Sequence, residues 1–182
     1  MTYFLMLSRW IDSLNRSIAA VVVWCTMAMI LLSFMNALLR RVGRTLGENL
    51  TWGTAMDLQW VLFGFMFLAT SGYTILTNSN VRVDIFYRDL SPRQKSVIEL
   101  VSASLFVIPF ASLVIYMSWP MVSNSIAIWE KSTLPGGISP WMIKPLIPFG
   151  FFLIFIQGLS SSIKNAAFLL GAAPSPHVSF QH

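Results

Sequence analysis

"SIAAVVVWCTMAMILLSFMNALL", Ser17 to Leu39, runs without a single charge. A helix needs about 20 apolar residues to cross the hydrocarbon of a bilayer. This run is longer than the apolar part of a signal peptide, and "NALLRRVGR" follows it rather than a small-residue cleavage site. It reads as an uncleaved membrane span. Three further stretches qualify: Ala55 to Thr77, Pro92 to Trp119 and Pro140 to Ile163. Their ionisable residues, Asp57, Glu99 and Lys144, each lie near an end. A charge costs much less there than at the bilayer centre.

The bulk composition agrees. The chain is 10% charged and 55% hydrophobic, whereas soluble domains are about 25% charged. The net charge of +5 therefore bears on membrane orientation and not on nucleic acid. The single cysteine, Cys25, lies inside the first run, and both histidines, His177 and His182, lie in the C-terminal tail. No span carries a histidine, so a haem-bearing subunit is disfavoured. The predicted fold is an all-α integral membrane protein with four transmembrane helices.

Two segments flank or interrupt the spans. In residues 1–16, Tyr3, Phe4, Leu7, Trp10, Ile11 and Leu14 follow helical spacing, with Arg9, Asp12 and Arg16 elsewhere on the wheel. The pattern predicts an amphipathic helix lying in the membrane interface. Between spans two and three stands "NSNVRVDIFYRDLSPRQK", Asn78 to Lys95. Its Ser91-Pro92-Arg93-Gln94 is a capping-box start for span three. That leaves residues 78–90 as a connection in which apolar and charged residues are mixed. The segment is either an interfacial strap or a solvated loop. The predicted organisation is an N-terminal segment (1–16), a four-helix domain (17–163) and a disordered tail (164–182).

Orientation follows from the short loops. With the N-terminus inside, the inner side holds Arg9, Arg16, Arg82, Arg88, Arg93, Lys95 and Lys164. The outer side holds Arg40, Arg41, Arg44, Lys131 and Lys144. Seven against five favours both termini inside. Trp119, Trp129 and Trp141 then flank the outer connection, as interfacial aromatic belts do.

The sequence offers no chemistry. It has no nucleophile elbow, metal-ligand cluster or glycine-rich phosphate loop. An enzyme, a metal and a cofactor are not expected. Four spans without evident repeats are also few for a self-sufficient carrier. Asp57 is the ionisable residue of most interest. It either meets a partner or polar pathway together with Gln59, or serves its own helix start with Thr54 as cap and Arg40, Arg41 or Arg44 nearby. Glu99 is expected to pair with Lys95 one turn away. Lys144 is expected to snorkel to the outer interface.

The order of features resembles the small, Q-type (DctQ-like) membrane subunit of tripartite ATP-independent periplasmic (TRAP) transporters. "NALLRR" resembles that family's exit from span one, here Asn36 and Arg40. "DLQWVLFGFMFLATSGYTILTNSNVRVDIFY" resembles its second span and following strap, here Asp57, Gln59, Trp60, Gly72, Val81, Arg82, Val83 and Asp84. "SWP" and "SIAIWEKSTLPGGISPWMIKPLIPFGFFLIFIQG" resemble one branch associated with carboxylic acids. The chain departs from the family where Trp52 precedes a single acid, Asp57, in place of paired glutamates.

The resemblance implies a subunit that does not itself bind solute. A larger permease subunit would carry the solute and sodium sites, and a soluble periplasmic protein would deliver the solute. Asp57, Gln59, Trp60, Arg40, Arg82 and Asp84 would face the large subunit. Glu130, Lys131 and Ser132 would take part in docking on the outer face. The implied location is the bacterial inner membrane, among lipid, with both termini cytoplasmic.

Overall fold

The computed structural model describes residues 2–47, 50, 53–79, 90–132 and 137–172. The elements are α1 (Thr2–Leu46), α2 (Gly53–Leu76), α3 (Pro92–Ser102), a π-turn (Ala103–Val107), α4 (Ile108–Ala127), α5 (Pro140–Ile143) and α6 (Leu146–Leu169). They make four helices long and apolar enough to span a membrane: Tyr3–Leu46, Thr54–Leu76, Pro92–Ala127 and Pro140–Leu169. The four predicted spans are all present. Arg82 and Asp84, with most of the connection between spans two and three, lie outside the described residues.

The first helix differs from expectation. It is one element of 45 residues, with no break between an N-terminal segment and a span. The amphipathic pattern of residues 1–16 is real. Ser8, Asp12 and Asn15 on its polar side dock onto α6, while Arg9 and Arg16 stay exposed and Tyr3, Leu7 and Trp10 point outward. No proline or cap interrupts residues 2–46, and Asp12 and Asn15 find partners inside the protein, so the helix has no reason to stop. At 1.5 Å per residue it measures about 67 Å. The hydrocarbon is about 30 Å thick, more than tilting absorbs. The rod therefore projects beyond it.

One face of α1 keeps strict time. Ser8, Asn15, Val22, Met29, Asn36 and Gly43 recur every seven residues, and all are buried except Met29, which is half-buried. A seven-residue seam winds two helices into a left-handed supercoil. Val22 meets Met66 and Ala69 of α2 in a small apolar core.

The fourth span is the hub. α1, α2, α3 and α4 all pack on α6, and α1 also packs along α2. A third (33%) of the apolar window in that span is buried, against 6% in the first. Small and polar residues make up most of the buried set: Ala55, Ala69, Ala103, Ala111 and Ala167 beside Ser8, Asn15, Asn36, Ser96, Gln157, Ser160 and Asn165, with Val22, Met66, Leu76, Val122 and Leu153 the larger apolar members. Phe34, Phe67, Phe106 and Tyr116 are exposed. Lipid tails remove the usual drive to bury apolar groups, so helices join through small residues and hydrogen bonds.

Span three starts as the sequence predicts. The Ser91 N–H donates to Gln94 Oε1 at 2.9 Å, and the Gln94 N–H donates to Ser91 Oγ at 3.4 Å. Further along, the Ile108 N–H donates to the Ala103 carbonyl, a five-residue step. Pro109 explains the wide turn. It has no N–H for the Leu105 carbonyl and its ring would press on it.

The tail begins later than expected. Span four continues to Leu169 and ends where Gly171 adopts φ +72. Residues 173–182 lie outside the described residues.

Candidate functional site

Polar side chains gather at the two ends of the bundle. The first cluster joins α1 to α6. Lys164 pairs with Asp12. Ser160 Oγ and Gln157 Nε2 donate to the other Asp12 oxygen, at 2.9 and 3.1 Å. Asn15 Nδ2 donates to Gln157 Oε1 at 2.8 Å, and the Ser8 and Ser160 hydroxyls lie 2.7 Å apart. The bilayer offers no water to an unpaired amide, so these donors are served by the neighbouring helix, while Asn15 Oδ1 is left without a partner. Nearby, Asn165 Nδ2 donates to Glu99 Oε2 at 3.4 Å.

This clasp depends on Gly72 of α2. A Cβ there would stand 2.3 Å from Asn15 Oδ1 and 3.2 Å from the Leu153 carbonyl. Only glycine lets the three helices close around Asn15. Asn15, Asp12 and Ser160 were not singled out from the sequence. The seven-residue beat of Ser8, Asn15 and Asn36 was the available signal.

The second cluster holds the connection between spans three and four. α4 ends in a two-bond turn: the Glu130 N–H donates to the Ser125 carbonyl and the Trp129 N–H to the Ile126 carbonyl. Glycine usually fills the left-handed position of this turn. Here Trp129 does, at φ 46, with its ring edge-on to Trp141 at 5.0 Å. Glu130 accepts from Ser125 Oγ at 2.6 Å and pairs with Lys144. The Lys144 ammonium thus ends on a part-exposed carboxylate beyond the end of span three.

Asp57 reaches the same connection from α2. Its Oδ2 accepts the Ile138 N–H at 3.3 Å. A Cβ on Gly137 would stand 2.2 Å from Ser132 Oγ and 2.7 Å from Asp57 Oδ2, so backbone, hydroxyl and carboxylate are closely packed. Among the described residues Asp57 makes no ion pair with Arg40, Arg41 or Arg44. Arg40 points its guanidinium at Met56 Sδ, 3.7 Å away. Trp60 is exposed, Gln59 half-buried, Lys131 exposed and Ser132 half-buried. The structure thus brings Asp57 and Ser132 together, brings Glu130 to Lys144, and leaves Arg40 and Trp60 apart from both.

A family model described as tripartite ATP-independent periplasmic transporters, DctQ component, matches residues 29–168. The chain belongs to the DctQ family. It is a small subunit of a TRAP transporter and a multi-pass membrane protein. The family implies a large permease and a binding protein as its companions in the tripartite system. Comparison with curated proteins and with solved structures returns no match. The DctQ range contains every residue of the second cluster and the α6 half of the first. Ser8, Asp12 and Asn15 fall before it. No group of metal-ligating side chains occurs among the described residues.

Glu130 makes the second clasp sensitive to acid. The Lys144 ammonium beside it, then the Ser125 hydroxyl, hold its carboxyl below the usual range. A lowered folded value stabilises the clasp at pH above the ordinary carboxylate range, and the contribution is lost as pH falls through the folded value. Acidification is expected to loosen the turn at Trp129 and Glu130 and its hold on Lys144 first. Tryptophan fluorescence from Trp129 and Trp141 should report this, and Glu130→Gln should remove the transition.

Proposed function

We propose that this DctQ-family chain is the scaffold subunit of a sodium-driven importer for an organic carboxylic acid. It packs against the large permease subunit in the bacterial inner membrane, with both termini cytoplasmic. Its outer connection forms part of the surface on which the periplasmic binding protein docks. The observation that carries this reading is the tethering of that connection. Asp57 holds it from span two and Lys144 holds it from span four. A surface meant to receive a rigid partner gains from being ordered beforehand, because less freedom is lost on docking.

The reading revises the role of two residues. Asp57 and Glu130 shape the connection through contacts within the chain. Exposed Lys131, with Ile128 and Trp129, is left to meet the binding protein.

The test is reconstitution. The chain, the large subunit and the binding protein should together give sodium-dependent uptake in liposomes, and omission of the chain should abolish it. Uptake by the chain alone would overturn the scaffold role. Orientation is checked on a Cys25→Ser background carrying Lys131→Cys. An impermeant maleimide added to whole spheroplasts should label it. Labelling only after lysis would place the connection in the cytoplasm and end the docking proposal.

A further inference from the structure

Two buried polar atoms near the outer end lack any hydrogen-bond partner: Asn36 Oδ1 on α1 and Gln59 Nε2 on α2. One is an acceptor and the other a donor. Asn36 is only 7% exposed. An orphaned amide between lipid-embedded helices is costly enough to need an explanation.

The register between the helices places them at the same level. Thr26 Oγ1 meets Met66 Sδ at 3.2 Å, and Arg40 meets Met56 Sδ at 3.7 Å. Both helices rise about 1.5 Å per residue, so these two contacts set Asn36 level with residues 56–60 of α2, the turn that holds Gln59. Asn36 also sits on the seven-residue seam that faces the neighbouring helices.

We propose that Asn36 and Gln59 form one water-bridged polar clasp between spans one and two. The water donates to Asn36 Oδ1 and accepts from Gln59 Nε2. The two atoms are not within bonding distance of each other, and a single water is the smallest group that serves both. The clasp has a consequence for the outer connection. Gln59 lies two residues after Asp57, so fixing Gln59 also fixes the turn from which Asp57 holds Ile138. Asn36 and Gln59 are positioning residues for that tether.

The experiment is a double-mutant cycle on the purified full chain in mild detergent. Asn36→Leu and Gln59→Leu should each lower the melting temperature, because each leaves the other amide and its water unserved. The double variant should lose clearly less than the sum of the two. Additive losses would overturn the proposal. A second measurement stands in case a leucine variant fails to fold. On a Cys25→Ser background, Asn36→Cys with Gln59→Cys should cross-link with a short bismaleimide, as should the control pair Thr26→Cys with Met66→Cys. Cross-linking of the control alone would overturn the register. Neither readout depends on transport, so failure here leaves the scaffold role standing.

Discussion

Gly72→Ala is expected to be among the most damaging single-methyl additions in the chain. The new carbon would lie 2.3 Å from Asn15 Oδ1, far inside contact distance. Either Asn15 swings away and gives up its 2.8 Å bond to Gln157, or α2 retreats from α1 and α6. Overpacking and an unserved buried amide together cost about 3 kcal/mol. Thermal unfolding in detergent, followed by tryptophan fluorescence, should show the loss. Gly64→Ala is the control, because nothing lies within 4 Å of its added carbon. Adding Asn15→Ala to Gly72→Ala should recover part of the loss by removing the colliding atom. If Gly72→Ala and Gly64→Ala melt alike, the close approach of the three helices is wrong.

Asp57→Leu is expected to reduce binding-protein docking and uptake about tenfold, the effect of losing one hydrogen bond to a charged group. Glu99→Gln should have a smaller effect, since an amide there still accepts from Asn165. Asp57→Asn separates two accounts of Asp57. An asparagine keeps an oxygen for the Ile138 N–H, so if Asp57 acts by tethering the connection, uptake should stay near wild type. If instead its charge meets a partner subunit, Asn should be as poor as Leu. Complex recovery by affinity purification should be unaffected by either change under the tethering account.

The four spans were legible because apolar length is a one-dimensional property. The start of span three was legible for a similar reason. Ser91 and Gln94 stand three residues apart and serve each other's backbone. The clasps are a different problem. Asn15 and Gln157 lie 142 positions apart, and no local rule pairs them. The alternation in residues 1–16 correctly indicated an amphipathic helix. It could not say which face was inside, because beside lipid the polar face is the one that packs. Arg40 and Asp57 were placed at the same end of the bundle correctly. Their geometry then differed, with Arg40 on a thioether and Asp57 on backbone. Lys144 and Glu130 are joined only because the chain turns back between them.

The π-turn at Ala103–Val107 amounts to one residue more than a regular helix would need. Without that wide turn, the surplus residue would carry everything beyond it round by about 100°. Ala111, Ser118, Val122 and Ser125, which face the bundle, would turn toward lipid. Phe110, Leu113 and Met117 would turn with them from the faces they now present to it. The far half of span three thus keeps its facing because a single turn absorbs the extra residue. A lineage could lose one codon there and regain ordinary winding, with every side chain beyond still facing as it does now.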